Sequence, residues 1–561
     1  MPQTASAVKV QMATTGILRS RRSAAQRHAL ASVEREIRSY DPAGARKYLR
    51  DFYDAYRSYE SVLESAQVRD AIAQIDIALV ADYHALPSSQ RYLASLIRSA
   101  EVHQRPVVLG VETIFSRDQH ILDEWWRAEI DEAELRQRVR FDLDWGYDWA
   151  PFYDLLSAAR ECGTALYGLD CMPREDLRKI GARDRHAAGK IAEIRRRHPE
   201  ALVLVLFGES HLAPRHLPAQ LHSLLPEDRV LTVLQNVDAL YWRAAGEKVD
   251  HVEAVRVADD VLCVFNATPL EKYENYRLYL NRWVRDQNGA PDLGPTVYNL
   301  IDGLVRFLEI NLYSPHNTTQ PRLLVDLMPE VYSRNSDALL RRLLSRKGFS
   351  VAQRRAMLRR VRERGSAYLA PLNAFYVRKF NMISATEDAA RFLHHACRAL
   401  PDRINGKAHE PRAPQDAFFA AVLEHALACF GSRILHPARP AFRDADLEEL
   451  CELTCEDLEQ QTALPYRDVV EALNFLWWHR QSGRSQRSHP AGPDWTRALA
   501  FTGRKWEYVT EQLGSLVGND LYDAYIDGRI GAPALRRLFL AHLEEPGVAS
   551  EAYANLNTRL K

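Results

Sequence analysis

Six short apolar runs separated by amphipathic stretches constrain this chain more than any other feature. The runs are IDIALVADYH (75–84), PVVLGVET (106–113), TALYGLD (164–170), ALVLVLFGESH (201–211), RVLTVLQ (229–235) and DVLCVFN (260–266). Between them lie SSQRYLASLIRSAEVH, RDQHILDEWWRAEIDEAELRQRVR, PFYDLLSAARECG and RDRHAAGKIAEIRRRH, each with apolar residues at helical spacing. A strand that is apolar at successive positions must be covered on both faces, and helical connections allow neighbouring strands to run parallel. The pattern predicts an α/β domain over about 70–268, a mostly parallel sheet with flanking helices.

Upstream, residues 29–70 read as helical, with Asp41-Pro42 as an N-cap and first-turn pair and Tyr48, Leu49, Phe52 and Tyr56 at helical spacing. Beyond Thr268 the strand texture disappears. EKYENYRLYLNRWV (271–284), SDALLRRLLSR (336–346), VAQRRAMLRRVRER (351–364), QDAFFAAVLEHALACF (415–430) and YRDVVEALNFLWWHR (466–480) are all helical in pattern. Breaks rich in Pro, Gly and polar residues fall at 286–295, 313–321, 401–414 and 481–493. At 561 residues the chain exceeds what one core serves. The expected plan is a disordered basic tail (1–28), an α/β domain with N-terminal helices (29–268) and an all-α C-terminal domain (269–561). The tyrosine-rich segment 271–283 comes directly after the last strand without a linker. It is expected to dock on the α/β domain and fix the helical half against it.

Lys+Arg and Asp+Glu both number 74, so there is no net field to attract a polyanion and no nucleic-acid partner is expected. Seven cysteines (162, 171, 263, 397, 429, 451 and 455) contain no CxxC pair and read as reduced, mostly buried thiols of a cytoplasmic protein. No membrane span is expected, because no run approaches the roughly 20 apolar residues one needs. The first 33 residues carry Lys9, Arg19, Arg21, Arg22 and Arg27 and no acid, a pattern shared by transit peptides and basic tails.

Ligands of open α/β sheets sit outside the carboxyl ends of the strands. At those ends the first run gives way to Asp82-Tyr83-His84, the second to Glu112, the third to Asp170 and the fourth to Glu209 with His211. Singly, each residue also reads as a cap or a hydrogen-bonded structural residue; together they predict one site. Glu112 sits in an apolar surround where an unpaired charge is costly. Mixed imidazole and carboxylate ligands at Asp82, His84, Glu112 and His211 suit Zn, Mn, Co or Fe(II), which would activate a bound water. The same four residues without metal form a His/Glu general-base arrangement for hydrolysis of a small molecule or peptide.

The order ADYH, VETIF, the segment ending near DWGYDW, YGLDCMPRE, RDRHAAGKI and FGESH resembles the ChaN-like, haem-binding-uptake members of the Tiki superfamily, and more distantly erythromycin-esterase-like hydrolases. The resemblance covers about residues 70–240. In that family the first strand ends in Gly-Glu-x-His, the second carries a Glu and a late strand ends in Gly-x-x-His. Gly208, His211, Glu112 and His84 match, whereas Ala81 and Asp82 replace the usual Gly and Glu. Arg183-Asp184 resembles the family's Arg-Asp step. The family has members that bind haem, which ranks here behind a divalent metal or an unmetallated site; candidate axial ligands are Tyr83, His84, His211 or His216, with Trp145, Tyr147 and Trp149 as a ring-stacking wall. Tyr83 and Glu209 are the further cofactor-binding candidates.

In the helical half, His394-His395 with Cys397 resembles a ligand cluster, but adjacent histidines on a helix point about 100° apart. Trp477-Trp478-His479 reads as partial core, and the arginine runs at 195–198 and 354–364 as solvated faces. Three readings emerge: a hydrolytic or metal-binding ChaN/Tiki-like protein, a haem or iron carrier, and a non-catalytic adaptor whose helical half binds a protein partner.

Overall fold

The computed structural model describes residues 3–40, 47–99, 105–171, 180–247, 251–284, 292–313, 323–333, 336–345, 349–398, 413–484 and 501–560. Asp41-Pro42 and most of the expected breaks lie outside the described residues. The chain divides into two compact units, Leu30–Gln287 and Met1–Ala29 with Asn288–Lys561.

The first unit is built on an eight-stranded sheet: β1 (Ser61–Leu63), β2 (Ile77–Asp82), β3 (Val107–Phe115), β4 (Ala165–Asp170), β5 (Leu202–Gly208), β6 (Val230–Gln235), β7 (Ala254–Ala258) and β8 (Val261–Val264). The spatial order is β1-β7-β8-β6-β2-β5-β3-β4. From β8 to β4 every neighbour is parallel, and these are the six apolar runs. β1 and β7 extend one side as antiparallel strands that the hydrophobic pattern did not announce, because both are short.

β2, β3 and β5 are buried at every position, and the pleat divides their side chains between two cores. Ala78, Val80, Leu109, Leu204 and Leu206 pack on one face against Leu93, Phe152 and Leu155 of the flanking helices. Ile77, Leu79, Ala81, Val203, Val205 and Phe207 pack on the other against Phe52, Ala187, Ile191, Leu217 and Leu221. This period-two partition is what makes the runs continuously apolar.

The expected boundary at 268 moves to Gln287. The helix Pro269–Val284 belongs to the α/β unit: Tyr273 donates to Asp238 at 2.6 Å, the Tyr279 hydroxyl accepts from the backbone N–H of Asp148 at 2.8 Å, and Trp283 meets the ring of Tyr147. Its docking on the α/β unit is thus as the spacing suggests.

A helix runs from Gln3 to Tyr40, and in the second unit Ala25, Gln26 and Ala29 are buried. Arg22 is hydrogen-bonded to Tyr522, Gln26 donates to the Ile434 carbonyl at 2.9 Å, and the Ala29 carbonyl accepts from Asn299 at 2.9 Å. The small residues allow close packing, and the arginine stem carries its charge to a buried phenol.

The second unit is mainly helical, as expected, and adds a small sheet, β9 (Glu330–Ser333), β10 (Ser366–Leu369) and β11 (Ala374–Val377), in the order β10-β11-β9. Four-residue strands are too short to show a period. The helix Pro414–Leu435 is long and apolar enough to cross a membrane, but 83% of its apolar window is buried inside the protein, as a core helix requires. It packs on the helix Gly503–Ile526, where a Cβ on Gly518 would lie 2.6 Å from the Ala426 carbonyl oxygen. His394 donates to the Phe539 carbonyl at 3.0 Å and His479 meets the Tyr553 hydroxyl at 2.7 Å, so both are core histidines.

His425 is held well below the ordinary imidazole range, first by burial and then by the charges of Arg391, Arg360 and Arg364. As pH falls through about 6.5 the unfolded chain takes up this proton and the folded chain does not, so acid favours unfolding. Below that pH, the second unit of wild type should lose stability more steeply than that of His425→Asn. Equal slopes in hydrogen-exchange measurements across that range would refute this.

Candidate functional site

β2, β5, β3 and β4 are adjacent and parallel, so their carboxyl ends lie side by side. The register pairs Asp82 with Gly208 and Val111 with Leu206, which puts Asp82, Gly208, Glu112 and Asp170 along one sheet edge. Between Val111 and Phe115 the pairing of β3 with β4 shifts register, and Glu112 lies inside this irregularity. Such shifts re-aim side chains. Gly168 makes it possible: a Cβ there would lie 2.8 Å from the carbonyl oxygens of both Ile114 and Phe115.

Glu112 is the centre of the site. Its Oε1 accepts from Arg183 Nη2 at 2.5 Å and its Oε2 from the backbone N–H of Gly208 at 2.5 Å. Arg183 also holds Asp170 with two hydrogen bonds of 2.9 Å each. All three side chains are buried. Burial works against the charge of Arg183, but Glu112 and Asp170 outweigh it and hold the guanidinium protonated. A forked donor matched to two carboxylates is geometry lysine cannot supply.

Two imidazoles flank Glu112, each backed by an aspartate. His84 Nδ1 lies 2.6 Å from Asp82 Oδ2, and its Nε2 lies 3.6 Å from Glu112 Oε2. Asp82 also accepts from Gln90. His211 Nδ1 lies 2.5 Å from Asp184 Oδ1, and its Nε2 lies 3.9 Å from Glu112 Oε1. Asp184 accepts from the Tyr48 hydroxyl at 2.6 Å, which burial and the aspartate hold well above its ordinary pKa. A carboxylate on Nδ1 fixes the tautomer and leaves Nε2 as the basic nitrogen. The His84 side chain is 18% exposed and that of His211 only 4%, so His84 is the ring with access to solvent.

Gly208 separates these groups. A Cβ there would lie 3.0 Å from Glu112 Oε2, 3.4 Å from His84 Nε2 and 3.5 Å from His211 Cδ2. The Gly-x-x-His pattern therefore has a steric reason: a side chain at the glycine would fill the space between both imidazoles and the glutamate.

The structure thus brings Asp82, His84, Glu112 and His211 together. They do not form the expected metal centre: among the described residues no group of three or more His, Cys, Asp or Glu could hold a metal ion. Both Glu112 oxygens accept hydrogen bonds from Arg183 and Gly208, and the aspartates face the Nδ1 atoms. Tyr83 and Glu209 lie elsewhere. Glu209 pairs with the fully buried Lys272 at 3.0 and 3.1 Å, and that ammonium sits 4.5 Å from the centre of the Tyr83 ring. Burial raises the pKa of Glu209 and Lys272 opposes the rise. Burial likewise works to lower that of Lys272, and Glu209 and Asp238 reverse it.

Several of the residues expected to hold or flank a haem are packed into the fold. His216 is buried, stacked on Tyr48 at 3.6 Å between ring centres and bonded to the Ser210 carbonyl. Trp145 and Trp149 are core residues, and Tyr147 is packed against Tyr279 and Trp283.

Sequence reasoning singled out Arg183-Asp184 through resemblance without giving either a role, and it missed Tyr48 and Gln90. Their only local signal is a polar residue on an otherwise apolar helix face.

Residues 68–203 match the family described as haem-binding uptake, Tiki superfamily, ChaN. A solved structure described as cofacial heme binding to ChaN of Campylobacter jejuni is 12% identical, covering 36% of this chain and 91% of that chain with a TM-score of 0.27. No curated protein matches. Over residues 68–203 the chain is thus similar to the ChaN-like members of the Tiki superfamily.

Proposed function

We propose that the strand-end cluster is a hydrolytic site for a small molecule or peptide, with His84 as the general base. The observation that carries this reading is the Asp82–His84 pair, whose imidazole is held at Nδ1 by a buried carboxylate and keeps a solvent-accessible edge. In this role His84 Nε2 takes a proton from water as it attacks an ester or amide carbonyl. Glu112, fixed by Arg183 and the Gly208 N–H, places negative charge beside both imidazoles and favours their protonated forms as the proton arrives. The His84 imidazolium then returns that proton to the leaving group, and the Asp184–His211 pair holds the opposite side of Glu112.

The test is hydrolysis of a panel of fluorogenic esters and amides by the full chain. Asp82→Asn should lower turnover by about 10²-fold while leaving the circular dichroism spectrum unchanged. Full activity in Asp82→Asn and in His84→Ala would sink the reading. Turnover that disappears with a chelator and returns with a divalent ion would favour a metal-dependent site. A haemin titration giving a saturable absorption change abolished in His84→Ala would favour the haem carrier.

A further inference from the structure

The arginine run 354–364 reads from sequence as a solvated face, but two of its members enter a half-buried charge cluster in the second unit. Arg360 donates to Asp388 at 3.0 Å and Arg364 to Glu387 at 3.0 Å, from the helix Val351–Arg364 to the helix Met382–Arg398. Arg391 reaches both acids, at 3.4 and 3.3 Å, and its other nitrogen lies 3.3 Å from His425 Nδ1. Arg439 lies 3.0 Å from Glu387. Arg364 also meets Glu511 of the helix Gly503–Ile526. The side chains of Arg360, Arg391 and Arg439 are 15%, 13% and 10% exposed, whereas Arg364, at 33%, forms the open rim.

Among the described residues the charges do not balance. Four guanidiniums face Glu387, Asp388 and Glu511, so a positive charge is left over in a poorly hydrated place. The donors are also in excess: about twenty guanidinium N–H groups face three carboxylates. Arg439 Nε is buried and has no hydrogen-bond partner among the described residues. Burial, with the like charge of Arg360, pulls Arg391 down to about 10. Surplus buried cations and a buried unsatisfied donor are costly unless an acceptor of negative charge completes the set.

We propose that the Arg360, Arg364, Arg391 and Arg439 cluster is a binding site for a phosphate group, carried by a small molecule or free in solution. Guanidinium forks match the tetrahedral oxygens of phosphate with paired hydrogen bonds. Glu387 and Asp388 hold the forks in place, and the phosphate supplies the missing charge and the acceptor for Arg439.

The test is calorimetric titration of the full chain with inorganic phosphate and, separately, with glycerol phosphate, at an ionic strength kept constant with chloride. Saturable binding at one site per chain is expected. Arg439→Met should weaken it about tenfold or more, the loss of one charged hydrogen bond. Should Arg439→Met fail to fold, Arg364→Gln on the exposed rim should show the same direction of change. Tighter binding of glycerol phosphate assigns the site to a phosphorylated small molecule, and tighter binding of inorganic phosphate assigns it to the free ion. Absence of saturable binding for both probes, or undiminished binding in a folded Arg439→Met or Arg364→Gln, overturns the proposal.

Discussion

Arg183→Leu should lower the stability of the α/β unit by about 3–5 kcal/mol, the cost of removing one partner from a buried ion pair. The substitution keeps part of the apolar stem but strips the guanidinium from Glu112 and Asp170, which are 3% and 1% exposed. Both carboxylates then retain their desolvation penalty without their strongest compensating charge. Arg183→Lys should recover only part of the loss, because one ammonium cannot bond both oxygens of Asp170 while reaching Glu112. Unfolding of a chain with two units is not a single transition, so a global midpoint would blur the effect. Hydrogen exchange at the amides of β3 and β5 reads the opening of this unit directly. A change under about 1 kcal/mol there would mean that the three side chains are not coupled as described.

The second large effect is expected at Lys272. Lys272→Met keeps the apolar stem but leaves the buried Glu209 facing Asp238 and Asp82 without its cation, which should cost about 3–5 kcal/mol near neutral pH. The sign of the pH dependence comes from Glu209. Its folded pKa is raised from the ordinary 4.5 by burial and is restrained by Lys272; without the lysine it rises further. The unfolded chains ionise alike, so the deficit of Lys272→Met opens as pH rises through the folded wild-type pKa of Glu209, itself above 4.5, and closes in acid. Lys272→Met combined with Glu209→Gln should regain most of the loss, since both charges are then gone. A double variant as unstable as the single one would show that packing of the helix Pro269–Val284, not the ion pair, carries the effect.

Both tests concern groups that local patterns in the chain leave unassigned. Continuous apolar runs made the parallel strands legible, because only a strand covered on both faces needs aliphatics at successive positions. The strand-end rule then placed Asp82, His84, Glu112 and His211 on one edge, and the structure brings them within a few ångströms of one another. A metal assignment depends on the next level. Residue types suggested ligands, but the direction of each carboxylate depends on Arg183, Gln90 and the Gly208 N–H, which reach it only through the fold. The end of the tail shows the same dependence. Arg22 and Gln26 look like a solvated basic segment until Tyr522 and Ile434 are placed beside them.

The sequence by itself determined the alternation of strand and helix, the parallel core of the sheet and the edge at which polar residues gather, because periodicity is a local property of the chain. The tertiary structure alone decided which carboxylate each imidazole faces, where the units divide and which arginines are buried. Those outcomes depend on contacts such as Glu112 with Arg183, Glu209 with Lys272 and Glu387 with Arg439, whose partners are separated by more than fifty residues. A charge is compensated by whatever folding brings within a few ångströms of it, and no local pattern records that.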